Sequence, residues 1–116
     1  MSGRVLVVDD EKNIGFVVQA MLDRAGFEAV AFSESAAAIE AISDEEFDVV
    51  VTDLYMPGPG GMEVLEHCQK TRPQLPVVIV TAYGTVESAV TALKRGAFDF
   101  ITKPFDQTEL LNTVRK

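Results

Sequence analysis

The feature that most restricts the fold of this chain is a regular alternation of short β-branched runs with longer amphipathic stretches. The short runs are rich in Val, Ile and Thr, which is the composition of buried strands. The stretches between them carry apolar residues at the spacing of one helix face. Repeated strand–helix units build a parallel sheet with helices on both faces. The alternation therefore predicts an α/β fold, with a doubly wound five-stranded parallel sheet in a three-layer sandwich.

The pattern also gives bounds for each element. Strands are expected at residues 5–8, 29–32, 49–52, 77–81 and 100–102. Helices are expected at residues 35–42, 61–70 and 85–95, and a fifth begins at Asp106 with Glu109 as its capping-box partner. The first helix should end at Gly26 and bury Ile14, Val17, Val18, Met21, Leu22 and Ala25. The fourth helix should end at Gly96 and bury Val86, Ala89, Val90 and Leu93.

Composition and charge exclude several classes of protein. The net charge of −8, with only 10 basic residues, argues against direct nucleic-acid binding, which needs clustered Lys and Arg. The single cysteine, Cys68, allows no internal disulfide and fits a reducing cytosol. Because we find neither a signal peptide nor an apolar run of about 20 residues, we expect a cytoplasmic chain that does not contact membranes. The last helix breaks off at Lys116, so we expect residues 1–116 to be one domain excised from a longer protein.

Charged and polar residues follow the strands at their carboxyl ends. Asp9 and Asp10 follow the first strand, Asp53 follows the third, and Lys103 follows the fifth. In a sheet of order 2-1-3-4-5, strands one and three flank the topological switch point, so the three carboxylates should converge there. Each charged pair at about 4 Å costs about 4 kcal/mol at an effective dielectric near 20. A raised pKa, a lysine or a divalent cation must compensate, and a few hard oxygen ligands suit Mg²⁺.

Simpler interpretations exist for each of these residues. Taken alone, Asp9 and Asp10 could cap the first helix, and Lys103 could be an ordinary surface lysine. The only histidine, His67, has no partner cluster and is expected to face solvent, whereas Cys68 is expected in the core. A metal site becomes the favoured interpretation only when the acids, Thr81 and Lys103 are considered together.

Four motifs carry a resemblance to a known family. They are Asp9–Asp10, Asp53 in "VVVTDLYMPGPGGMEVL", Thr81–Ala82 in "VVIVTAYG", and Lys103–Pro104 in "FDFITKPF". In this order they resemble the receiver domain of two-component response regulators, which has a flavodoxin-like, CheY-like fold. The stretch "TAYGTVESAVTALKRGAFDFITKPF" is most similar to receivers of NtrC-type, sigma-54-dependent transcriptional activators.

The resemblance implies a role for each site residue. Asp53 would accept a phosphoryl group from a sensor histidine kinase in the presence of Mg²⁺, for which Mn²⁺ can substitute. The metal would be held by Asp10, by Asp53 and by the backbone carbonyl of Tyr55, with Asp9 acting through water. The phosphoryl oxygens would be bound by Lys103, the Thr81 hydroxyl and the Ala82 backbone N–H. Thr81 and Phe100 would form the switch, and activation would favour a homodimer that controls an output, here transcription.

Residues near the expected phosphorylation site bear on the lifetime of the phosphoryl group and on the shape of the following loop. Tyr55 and Tyr83 flank the expected phosphorylation site, and neither can orient an attacking water as an acid or amide would. We therefore predict a slow loss of the phosphoryl group. Gly60 stands where relatives often carry a small polar or acidic residue, which gives the loop more freedom.

Other functions are compatible with the fold. A flavodoxin-like cofactor binder would need a phosphate loop after the first strand, where "DDEKN" would repel an anion. A metal-dependent phosphatase would usually carry an acid at the position of Tyr55. A receiver-like module that is never phosphorylated would not need the intact set of acids, threonine and lysine. The sequence therefore favours a phosphoacceptor domain over an enzyme with an external substrate.

Overall fold

A computed structural model describes residues 3–54, 60–81, 86–103 and 106–115 of the chain. The strands are β1 (Arg4–Val8), β2 (Glu28–Phe32), β3 (Val49–Asp53), β4 (Val77–Thr81) and β5 (Asp99–Thr102). The helices are α1 (Lys12–Arg24), α2 (Ser35–Asp44), α3 (Gly61–Thr71), α4 (Val86–Lys94) and α5 (Gln107–Arg115). Every predicted strand is confirmed with ends within one residue of those observed.

The five strands form one parallel sheet in the order β2-β1-β3-β4-β5, as predicted. Val8 at the end of β1 lies opposite Phe32 on one side and Thr52 on the other. Asp53, the last residue of β3, lies opposite Val80 in β4. The strand ends that carry the expected site residues are thus at one edge of the sheet.

Alternate residues of the strands fill two separate hydrophobic clusters. On one face Leu6, Val50 and Ile79 pack with α2 and α3. On the other face Val5 and Val51 pack with α1 and α5. Because helices cover both faces of the sheet, residues on both sides of each strand are apolar. Among the residues that the structure describes, no helix is long and apolar enough to cross a membrane.

The predicted inward faces of two helices are partly wrong. Val17 in α1 is 51% exposed, and Val90 and Leu93 in α4 are 43% and 46% exposed. Among the side chains of α4 that the structure describes, Ala92 is fully buried, whereas the larger Val90 and Leu93 point away from the sheet. The side chains of Val86 and Ala89 lie outside the described part of the chain. Apolar spacing predicted the helices, but it did not identify which face they bury.

The predicted helix ends are confirmed by backbone geometry. Gly26 and Gly96 follow α1 and α4 with φ values of 95° and 104°, a conformation that glycine adopts without strain. The Glu109 N–H donates to the Asp106 side chain at 2.8 Å, which supplies one half of the expected capping box.

Opposite charges meet at the amino-terminal edge of the sheet. The Arg4 guanidinium forms ion pairs at 2.7 Å with Glu28 and with Glu45, and lies 4.8 Å from the centre of the Phe47 ring. The Asp48 carboxylate accepts the backbone N–H of Arg4 at 2.7 Å. These contacts fasten the start of β1 to β2 and to the segment between α2 and β3.

Candidate functional site

Three carboxylates meet at the carboxyl-terminal edge of the sheet. Asp9 and Asp10 follow β1, and Asp53 ends β3, so adjacent strands deliver them to the same place. One oxygen from each lies within 4.8 Å of the others. Asp9 and Asp53 are buried, whereas Asp10 is exposed. The convergence predicted from the strand order is therefore observed.

Lys103 lies between the two buried acids. It follows β5, and its Nζ donates to Asp9 Oδ2 at 2.8 Å and to Asp53 Oδ2 at 3.0 Å. Burial alone would lower the pKa of Lys103, but hydrogen bonds to Asp9 and Asp53 and their charges outweigh it and raise the pKa. The ammonium is therefore charged at neutral pH. The interpretation of Lys103 as an ordinary surface lysine is wrong, since its side chain is only 13% exposed.

The Asp9 carboxylate has a second partner at the entrance to α1. Its Oδ1 accepts the backbone N–H of Glu11 at 2.9 Å, while its Oδ2 accepts from Lys103. The capping role considered from sequence is wrong, because the N-cap residue of α1 is Glu11 and no described side chain caps that helix; Asp9 instead binds the backbone just before it. With both Asp9 oxygens engaged by the protein, the exposed carboxylate of Asp10 is the more accessible one for a cation.

The charges of the cluster fit a divalent metal ion. Three carboxylates and one ammonium carry a formal net charge of −2. Buried like charges are costly unless they are paired or bind a metal. The donor atoms are carboxylate oxygens, which Mg²⁺ prefers, and one of the acids opens to solvent.

The backbone around Asp53 is held by groups that sequence reasoning did not identify. Thr52, fully buried, donates its hydroxyl to the Asp53 carbonyl at 3.0 Å. The N–H of Gly61, the first residue of α3, donates to the Leu54 carbonyl at 3.0 Å. The available signals were a hydroxyl residue in an otherwise apolar strand and a glycine at a helix start.

Several predicted site residues lie outside the described part of the chain. These are Tyr55, Ala82, Tyr83 and the side chain of Thr81, whose backbone ends β4. Phe100 is partly buried and packs against the cluster between the sheet and α2–α3. Its position in β5 is opposite Ile79, two residues before Thr81.

His67 and Cys68, which could in principle be a metal ligand or a nucleophile, have structural roles outside the acidic cluster. His67 is half-buried and its Nε2 lies 2.9 Å from Ser43 Oγ, so it is less solvent-facing than predicted. Cys68 is fully buried in the core, as predicted, and burial raises the pKa of its thiol to about 11. A thiol protonated at neutral pH is a poor nucleophile.

With this geometry established, comparison with known proteins defines the class. Residues 5–115 match the response regulator receiver domain, and the chain belongs to that family. It is 38% identical over 114 residues to the DNA-binding transcriptional regulator NtrC of Escherichia coli (strain K12), covering 98% of this chain and 24% of that protein. It is 37% identical over 111 residues to the response regulator protein PilR of Pseudomonas aeruginosa, with 96% and 25% covered. The chain spans about a quarter of the length of these relatives.

Solved structures of receiver proteins have the same fold as this chain. The chain matches NtrX from Brucella abortus, solved in complex with ATP, with a TM-score of 0.93 and 36% identity, covering 99% of this chain and 26% of that one. It matches the beryllofluoride-activated NtrC4 receiver domain dimer with a TM-score of 0.92 and 34% identity, covering 97% and 93%. The resemblance to NtrC-type receivers and the CheY-like fold are therefore confirmed.

Proposed function

We propose that Asp53 is the phosphoacceptor of this receiver and that its phosphorylation switches a transcriptional output. The observation that carries the proposal is the position of the Lys103 Nζ, 3.0 Å from Asp53 Oδ2 in a cluster of three carboxylates. Phosphoryl transfer depends mainly on positioning and on neutralising charge, and this edge of the sheet offers both. The relatives' names support a transcriptional output.

Asp53 and Lys103 carry the transfer in this proposal. An Asp53 carboxylate oxygen attacks the phosphorus of a phosphohistidine, so a P–O bond forms while the P–N bond to the kinase breaks. The leaving imidazole takes the electron pair of that bond. The Lys103 ammonium, already beside Asp53, neutralises charge on the phosphoryl oxygens. The domain thus assists its own phosphorylation and its slow dephosphorylation, but it turns over no external substrate.

We assign the metal to Asp10 and Asp53, with the Tyr55 backbone carbonyl as a third ligand and Asp9 acting through water. When bound, Mg²⁺ or Mn²⁺ would neutralise the charge of the acids and of the incoming phosphoryl group. Support comes from the close approach of the three carboxylates and from the exposure of Asp10. Asp9 fits an indirect role because both of its oxygens already accept protein hydrogen bonds.

The switch and the lifetime of the phosphoryl group are assigned to neighbouring residues. The Thr81 hydroxyl and the Ala82 N–H would bind phosphoryl oxygens, and Phe100 would move as Thr81 is drawn inward. Tyr55 and Tyr83 would slow hydrolysis. Replacing them together, by Tyr55→Asn and Tyr83→Glu, should speed loss of the phosphoryl group, and an unchanged decay rate would contradict their role.

Two exposed apolar surfaces fit the expected partners. Phe16 and Val17 of α1 are 63% and 51% exposed, and Phe16 lines the same pocket as Asp9, which suits docking of a histidine kinase. Val90, Leu93 and Phe98 are each more than 40% exposed on the side of α4 and β5, which suits a homodimer. A receiver that regulates transcription works in the cytoplasm, so we place this chain there.

The test is the intact mass of the protein after incubation with acetyl phosphate, with and without Mg²⁺. We expect the wild type to gain one phosphoryl group only when Mg²⁺ is present. Asp53→Asn should gain none, whereas Asp44→Asn, the same chemical change on the exposed end of α2, should behave as wild type. An equal gain in Asp53→Asn would exclude Asp53 as the acceptor.

A further inference from the structure

Helix α3 begins in direct contact with the peptide that follows Asp53. A Cβ added at Gly61 would overlap the Asp53 carbonyl oxygen and would lie 2.7 Å from the Leu54 Cα and 2.9 Å from the Asp53 carbonyl carbon. All three atoms are backbone, so no flexible side chain can move aside to make room. A non-glycine residue at position 61 can therefore be accommodated only if α3 or the end of β3 shifts.

The requirement for glycine here is one of space and not of conformation. Among the described residues, positive φ values occur only at Gly26 and Gly96, so Gly61 has a backbone that other residues adopt readily. Judged by helix propensity alone, alanine at position 61 would favour α3. The structure predicts the opposite result, because the added methyl group meets the backbone of the acceptor residue.

Further hydrogen bonds hold the backbone carbonyls of Asp53 and Leu54. The Thr52 hydroxyl donates to the Asp53 carbonyl at 3.0 Å, and the Gly61 N–H donates to the Leu54 carbonyl at 3.0 Å. Asp53 is also in register with Val80 of β4. With its backbone held on several sides, the Asp53 carboxylate stays beside Lys103 and the other acids.

We propose that Gly61 is a positioning residue for phosphoryl transfer, because the bare Cα of α3 sets the position of the Asp53–Leu54 peptide. The inference rests on the proposed role of Asp53 and adds a determinant that carries no reactive group. Any side chain at position 61 displaces the acceptor carboxylate relative to Lys103 and Asp10. Displacements of about 1 Å at a reacting group can slow a reaction about a hundredfold.

Three alanine substitutions form a graded test. Gly61→Ala adds a methyl group that overlaps backbone atoms of Asp53 and Leu54. Gly60→Ala places one 3.1 Å from the Leu54 carbonyl oxygen, a tight contact, at a residue whose φ of −89° and ψ of −175° suit alanine. Gly15→Ala, the matched control within α1, meets only the Ala31 Cβ at an ordinary 3.8 Å.

The rate of phosphorylation by acetyl phosphate is measured at saturating Mg²⁺, at a temperature where circular dichroism shows each variant to be folded. We expect Gly61→Ala to be at least about tenfold slower than wild type, Gly60→Ala about two- to threefold slower, and Gly15→Ala unchanged. Amide NMR titration with Mg²⁺ should show weaker binding in the same order. A loss of global stability alone would not change either quantity in folded protein.

A folded Gly61→Ala variant whose rate and Mg²⁺ affinity are within twofold of wild type would overturn the inference. If Gly61→Ala does not fold, the comparison passes to Gly60→Ala and Gly15→Ala, and equal rates in these two would overturn it. Failure of the proposed function looks different, because then the wild type itself would carry no phosphoryl group on Asp53.

Discussion

The two edges of the sheet place their charged groups in different surroundings, exposed at one edge and largely buried at the other. At the amino-terminal edge Arg4 forms ion pairs with both Glu28 and Glu45, and these two carboxylates are exposed, so water screens their remaining negative charge. At the carboxyl-terminal edge Lys103 forms ion pairs with the buried Asp9 and Asp53, and Asp10 lies beside them. Both edges belong to the same five strands, so the difference comes from the residues that begin and end them.

The difference separates charges that hold the fold from charges that serve the site. The amino-terminal contacts join β1 to its neighbours and need no further ion. The carboxyl-terminal cluster has more carboxylates than cations among the described residues, which lowers the stability of the metal-free fold and would be offset by a bound divalent cation. Removing the Arg4 charge should therefore destabilise the protein, whereas removing the Asp10 charge should stabilise its metal-free form.

The largest effect is expected from Lys103→Gln. Loss of the ammonium removes the group that neutralises phosphoryl oxygens, so phosphorylation by acetyl phosphate should slow by about 10²-fold. Intact-mass time courses give the rate, and Lys94→Gln on the exposed end of α4 is the control. A rate within threefold of wild type would remove Lys103 from the reaction.

The second-largest effect is expected in the change of Tm on adding Mg²⁺, which tests whether the acidic cluster binds the metal. At a Mg²⁺ concentration a hundred times Kd, binding should stabilise the wild type by about 2.7 kcal/mol, seen as a higher Tm. Asp10→Asn should lose most of this response and unfold at a higher temperature than wild type without metal. If the variant gained as much from Mg²⁺ as the wild type, Asp10 would not be a ligand.

At the amino-terminal edge the expected effect is smaller and has the opposite sign. Arg4→Gln should lower Tm by a few degrees, because it leaves Glu28 and Glu45 without their partner. The shift should be the same with and without Mg²⁺, and Arg24→Gln on the exposed end of α1 is the control. A Tm equal to or above that of wild type would show that this edge contributes nothing.

The smallest effect concerns alkaline pH in metal-free protein. The folded-state pKa of Lys103 is raised above its ordinary value of 10.5, so its stabilising contribution is complete below about pH 10.5 and is lost as the pH rises through the folded-state pKa. Denaturant unfolding should therefore show a steeper loss of stability above pH 10.5 in wild type than in Lys103→Gln. If wild type and Lys103→Gln lost stability equally above pH 10.5, the ion pairs of Lys103 with Asp9 and Asp53 would not stabilise the fold.

Most of the fold and the centre of the site could be predicted from sequence. Strand ends, strand order and the convergence of Asp9, Asp10 and Asp53 follow from local patterns combined with one topological rule. The exposure of Val17, Val90 and Leu93 could not be predicted, because the position of each helix on the sheet is a tertiary property. The contacts of Thr52 and Gly61 with the backbone beside Asp53 were missed because a hydroxyl residue in an apolar strand and a glycine at a helix start do not indicate which backbone groups they will contact.

The account's central claim is that Asp53 alone accepts the phosphoryl group. Borohydride reduction of the phosphorylated protein converts an aspartyl phosphate to homoserine, and mass spectrometry of peptides then locates the changed residue. We predict homoserine at position 53 only, and only in samples that contained Mg²⁺. Homoserine at position 9 or 10, or none in protein whose intact mass shows a phosphoryl group, would contradict the account.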